Sequence, residues 1–171
     1  MSRTFRIRPL SRADLADVVR IDARHTGTRK PAYWKGILAK FLGPARGRTR
    51  VGLAAVDGRG AFLGYILGEI RAFEFGSEPC GWVFAVGVDP GALHHGVGSA
   101  LIEAACDRFG RRGVTRVRTM IRRNDVPLLS VFRSNGFTGG SFVQLEREAT
   151  DGAAETVRRP DHLAASPEER L

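Results

Sequence analysis

Val83-Phe84-Ala85-Val86-Gly87-Val88-Asp89-Pro90 runs directly into Gly91-Ala92-Leu93-His94-His95-Gly96-Val97-Gly98-Ser99-Ala100-Leu101-Ile102-Glu103-Ala104. The first half is a short apolar run closed by Asp-Pro, which predicts a buried strand. The second is a glycine-spaced turn that feeds a segment of helical periodicity. A helix starting at such a turn presents N–H groups without intrahelical partners at the positive end of its dipole. These groups, from about His94 to Ser99, form an anion site, and Gly96 and Gly98 lack the Cβ that would hold a phosphate away.

Downstream, helical spacing runs from Val97 to about Arg111, and Gly113 ends it. Val114 to Ile121 alternates as a strand, Asp125 to Ser134 reads as a short helix with Pro127 in its first turn, and Gly136 is its stop. Phe137 to Leu145 supplies a terminal strand with a break at Gly139-Gly140. Upstream, Phe5 to Pro9 alternates apolar and basic residues as a first strand. Ser11 and Asp14 form a capping-box-like start for a helix through Leu15, Val18, Val19 and Asp22 to about Arg24. A second helix starts at Pro31, buries a stripe of Trp34, Ile37, Leu38, Phe41 and Leu42, and stops at Gly43-Pro44. Val51 to Val56 and Ala61 to Phe73 flank Asp57-Gly58-Arg59-Gly60 and form a hairpin by the Asp-Gly turn rule. The order β-α-α-β-β-β-α-β-α-β implies an α+β fold. Its sheet is mixed and mostly antiparallel, with one parallel pair where strands 82–88 and 114–121 flank the long helix.

The chain has 171 residues, a formal charge of +9 and a pI near 10.9. Such charge first suggests nucleic acid. The positive residues are nearly all arginine, however, and they are scattered over both halves without interleaved aromatics, so a nucleic-acid module is the least favoured class. A basic field also captures a polyanionic co-substrate. Cys80 and Cys106 have neither a disulfide framework nor metal-ligand spacing, and no metal is expected. No apolar run approaches membrane-helix length and the first residues carry no signal-peptide core, so a cytoplasmic protein is expected, with no membrane partner. Residues 1–149 read as one domain and 150–171, rich in Asp, Glu, Arg and Pro, as a mobile tail.

Three glycine motifs compete for the turn. A Walker loop requires a lysine that is absent, and a dinucleotide fingerprint requires a third glycine where Leu101 stands. Val88-Asp89-Pro90, then Gly96-x-Gly98, then Gly136-Phe137 closing a short helix about forty residues later, instead resembles the GNAT superfamily of N-acetyltransferases, over residues 5 to about 147. The resemblance implies a GNAT-like fold whose parallel pair splays to admit acetyl-CoA. It implies that His94, His95, Gly96, Val97, Gly98 and Ser99 hold the coenzyme A pyrophosphate, and that Val86, Gly87 and Val88 pair with the pantetheine arm. Asn124, Asp125 and Phe132 would border the co-substrate. Leu93 stands where the family usually has Gln or Arg, and Phe132 where many members have a tyrosine that protonates the thiolate.

The reaction so implied is acetyl transfer from acetyl-CoA to a primary amine: a small amine, a peptide N-terminus or a protein lysine. An alkyl ammonium is mostly protonated at neutral pH, so a base is useful. The family often has a glutamate where this chain has Trp82. Glu69, an acid inside the apolar run Tyr65 to Ile70, is the first choice for that base, with an ion pair to Arg71 as its alternative role; Glu74 comes next. Asp22, His25, Arg29, Tyr33 and Trp34 fall where the family builds its acceptor site. A non-catalytic acyl-CoA-binding sensor is the alternative function, motivated by Leu93, Trp82 and Phe132. Edge pairing through the last strands would make a homodimer.

Overall fold

The computed structural model describes residues 5–43, 48–72 and 77–148. Glu74 and the expected tail at 150–171 lie outside them. Five strands form one sheet in chain order: β1 (Phe5–Pro9), β2 (Arg50–Asp57), β3 (Phe62–Arg71), β4 (Cys80–Val88) and β5 (Val117–Arg118). The first three pairings are antiparallel and β4 with β5 is parallel. That is the mixed sheet the sequence implies.

Helices α1 (Leu15–Thr26) and α2 (Pro31–Phe41) cover one face, and α3 (Val97–Gly110) and α4 (Val126–Ser134) the other. Two apolar clusters result, one on each side. Tyr65 and Leu67 of β3 pack with Val18, Ile21, Trp34 and Phe41, whereas Ile66 between them packs with Leu101, Ile102 and Phe109. This alternation fixes which strand residues face which helices. Among the described residues, no helix is long and apolar enough to cross a membrane.

Local signals set the helix ends. The Ser11 N–H and hydroxyl donate to Asp14, which also takes two bonds from Arg8, at 2.8 and 2.7 Å. Asp125 caps α4 by accepting from the Leu128 N–H at 3.1 Å, and Gly136 ends the helix region with φ +80°.

Three expectations need correction. The hairpin turn is not closed by Gly58: Gly60 carries the positive φ, +87°, and Asp57 bonds Gly60 and Ala61 through the backbone. The connection is thus a three-residue loop, a turn followed by a left-handed glycine. The strand expected over 114–121 shrinks to Val117–Arg118, and residues 137–145 form no strand among the described residues. A strand needs a neighbouring ladder as well as alternation. β5 pairs with β4 over only two positions, so residues 137–145 have no long edge beside them, and Val143 and Leu145 are exposed.

Candidate active site

The splayed edge of β4 is the centre of the site. β4 meets β5 only at Gly81 with Val117 and Trp82 with Arg118, and the Thr119 hydroxyl then reaches the Val83 carbonyl at 3.2 Å. Beyond that point the outer edge of β4 faces no strand among the described residues. A register shift against β3 falls just after this rung, where Leu67 faces Ala85 and Gly68 faces Val83, leaving Phe84 as a bulge. Bulges of this kind re-aim backbone groups and occur next to active sites.

The Asp89 N–H bonds Leu63 of β3, so alternation turns the polar groups of Val86 and Val88 to the open edge. Val88 is already engaged there. Its carbonyl oxygen lies 2.7 Å from His25 Nε2, which must carry the hydrogen because a carbonyl only accepts. Gly87 sits against Tyr65: a Cβ there would approach the ring to 2.8 Å. Its missing side chain therefore reflects packing. Burial, with Asp22 and Tyr33 adding to it, pushes the Tyr65 phenol up.

The glycine turn begins with Asp89, which is buried, accepts from the Gly91 N–H at 3.0 Å and is gripped by Arg20 and Arg24 of α1. Burial alone would raise this carboxyl, but the Gly91 N–H and the two guanidiniums outweigh it and hold it below the usual carboxylate range. The turn is thereby tied to α1. His94, with φ +64°, and His95 are exposed, and Gly96 precedes the helix with φ +76°. The first helical bond of α3 runs from the Ala100 N–H to Gly96 at 3.0 Å, so the N–H groups of Val97, Gly98 and Ser99 have no intrahelical acceptor. Around Gly98 there is room: a Cβ would meet Val131 and Val88 at 3.6 Å, ordinary contact.

Other expected residues are placed as follows. The Ser99 hydroxyl accepts from Asn135 at 2.9 Å and links the start of α3 to the end of α4. Asn124 is exposed, and Phe132 is only 2% exposed, edge-on to Phe137 at 5.0 Å. On the α1–α2 side, Asp22 is 3.2 Å from Lys30, both side chains nearly buried; Trp34 is core and Arg29 exposed.

Glu69 is 8% exposed and ion-paired. Its Oε1 takes Arg71 at 2.8 Å, whereas Oε2 has looser contacts, Arg50 at 3.5 Å and Lys40 at 3.8 Å. The ion pair with Arg71 is therefore formed. The register adds a relation that local patterns do not contain. Arg50, Glu69, Trp82 and Arg118 are successive cross-strand partners, one from each of β2 to β5. Directly paired residues share a face, and here it is the face of α1 and α2. Sequence reasoning missed Arg50 and Arg118. The signal that could have found Arg50 is the hairpin turn, which fixes which residue of β2 stands beside Glu69; Arg118 enters only through the parallel pairing of β4 with β5.

The arrangement thus joins a dipole-positive turn with free N–H groups, an open backbone edge and a buried carboxylate one strand from Trp82. The profile of the acetyltransferase (GNAT) family matches residues 16–137. A mycothiol acetyltransferase of Saccharomonospora viridis is 38% identical over 64 residues, 37% of this chain and 21% of that protein. The chain spans less than a third of the length of the first mycothiol acetyltransferases it matches, from 21% to 32%. Among solved structures, an aminoglycoside 6'-N-acetyltransferase of Acinetobacter haemolyticus superposes with TM-score 0.70 at 21% identity, covering 85% of this chain and 99% of its own. An aminoglycoside N-acetyltransferase in complex with the bisubstrate analogue CoA-S-monomethyl-acetylneamine gives 0.72 at 17%, covering 85% and 99%. These two likenesses show the fold.

Proposed function

This chain belongs to the acetyltransferase (GNAT) family, and on that premise we propose that it transfers an acetyl group from acetyl-CoA to a primary amine by direct attack on the thioester. The observation that carries this reading is the continuity of the open β4 edge with the glycine turn. β4 supplies backbone for an extended arm, and the turn that follows it leads to the N–H groups at the start of α3 for a pyrophosphate. The residues fit coenzyme A through backbone alone, so Leu93, His94 and His95 need supply no side-chain contact.

In this reading Val86 N–H and C=O pair with the pantetheine arm, and the N–H groups of Val97, Gly98 and Ser99 hold the pyrophosphate. His25 must release Val88 if that carbonyl is to join the pairing. A fixed backbone N–H at the bulge or the open edge is suited to a developing oxyanion. Glu69 acts as the base. It stands directly across from Trp82, the position where family members often carry glutamate, and Oε2, the loosely held oxygen, takes the amine proton directly or through one water. Phe132 has no hydroxyl and is packed in the core, so the departing thiolate takes its proton from solvent.

Calorimetry with acetyl-CoA, followed by thiol release across a panel of amines and peptides, tests the reading. Micromolar binding with turnover of at least one amine is expected. Failure to bind at high micromolar ligand overturns it, and binding without turnover across the panel favours the acyl-CoA sensor.

A further inference from the structure

The row across β2 to β5 carries more positive charge than its one carboxylate can pair. Lys40, Arg50 and Arg71 share Glu69. Arg118, two strands from Glu69 and so about 10 Å away along the sheet, shares none of it. Its Nη1 is buried and has no hydrogen-bond partner. A guanidinium nitrogen removed from water without an acceptor is costly. The group also meets an aromatic ring: its central carbon lies 4.6 Å from the centre of the Phe142 ring. A cation–π contact leaves the unpartnered Nη1 in want of an acceptor, and arginine meets carboxylates through such groups with two parallel bonds.

Location gives this cation a role. Arg118 occupies the last rung before β4 and β5 part, paired with Trp82. Phe84, the bulge, is two residues further along β4, roughly 7 Å at strand rise. With a hydrogen bond at each end, an acceptor of amino-acid size would reach across that gap, its amine at the bulge and its acid at Arg118.

We propose that Arg118 binds a carboxylate on the acceptor, so that the amine substrate is one carrying an acid group close to its nitrogen. The inference rests on the acetyltransferase reading for the reaction, but the subsite itself can be tested without turnover. Arg118 is a specificity-determining residue; Glu69 remains the proton acceptor, and Arg118, two strands away, holds the acid end of the acceptor apart from it.

Matched acceptors test this. L-amino acids are compared with their carboxamides, and short peptides with Asp or Glu after the N-terminal residue are compared with their Asn or Gln counterparts. The acid members should show higher kcat/KM by about 10- to 100-fold, the span of a charge-assisted hydrogen bond. A preference within the first pairs points to free amino acids, and one within the second to acidic peptides. Arg118→Gln should bring the ratio close to one, chiefly through KM, and Arg118→Lys should restore part of it. Binding of N-acetyl amino acids against their amides to the CoA-loaded protein is measured alongside. If no acceptor turns over but the acid products bind in an Arg118-dependent way, the subsite stands and the transfer reading falls. If amides are acetylated as well as acids, or Arg118→Gln lowers both alike, the subsite falls and the transfer reading stands.

Discussion

The two ends of β4 are built for recognition by opposite means in the proposed function. At its C-terminal end the turn offers backbone: free N–H groups at the start of α3, a left-handed Gly96, and an Asp89 clamp that holds the loop from behind. At its N-terminal end the row offers side chains, with Glu69, Trp82 and Arg118 presented on neighbouring strands by register. A backbone site tolerates changes in the side chains around it. A side-chain site changes specificity with each substitution, so a shared co-substrate and varied acceptors can coexist on one strand.

The largest separation is expected from Glu69→Gln. A general base contributes about 100- to 10,000-fold, so kcat should fall by at least about 100-fold while the dissociation constant for CoA stays within about twofold. Steady-state kinetics and calorimetry on the same preparation check it. A parallel loss of CoA affinity would break the division between the two ends. Gly96→Val should act the other way. With φ at +76°, a residue bearing a Cβ costs about 1–2 kcal/mol, and β-branching adds to that. The melting temperature should drop and CoA should bind about tenfold or more weakly, with acceptor selectivity retained.

How much of this was legible in the sequence follows the same division. The helices were, because their signals are local: Ser11 with Asp14, Pro31, Asp125 and Gly136 each act within one turn of an end. The glycine turn before α3 was legible for the same reason. Alternation in Val114 to Ile121 and Phe137 to Leu145 reported chain able to extend, but pairing requires a partner edge that a single segment does not encode. The row was illegible because it is a relation among four strands. Glu69 was conspicuous as an acid in an apolar run, whereas Arg118 looked like one arginine among many until its pairing with Trp82 was known.

Asp89→Asn probes the clamp. Arg20 and Arg24 are partly solvated, so the loss should be about 1–2 kcal/mol at neutral pH. Its pH dependence has a definite sign. The folded carboxyl lies below its ordinary value, so its contribution is complete above that value, about pH 4, and is lost as pH falls through the folded one. Asp14 is also lowered: burial opposes the shift, but Arg8 and Ser11 prevail. Urea titrations should therefore show wild type losing stability below about pH 4, and Asp89→Asn losing less over that interval. Equal slopes would remove the clamp from the account of the turn.

Gly98→Ala has the smallest effect on folding and separates the two reasons for a glycine. Gly87 is a glycine because of Tyr65, and its replacement is a packing event. At Gly98 a Cβ would stand 3.6 Å from Val131 and Val88, with no positive φ to strain. Alanine is the better helix former by up to about 1 kcal/mol, so the melting temperature should be unchanged or slightly raised. The same methyl group would occupy space beside the N–H groups proposed to hold the pyrophosphate, and CoA affinity should fall several-fold. Weaker binding with an undiminished melting temperature would mean that the missing Cβ serves the ligand. A lower melting temperature with unchanged affinity would mean that it serves the helix, and would leave Gly96 as the turn's only glycine kept for recognition.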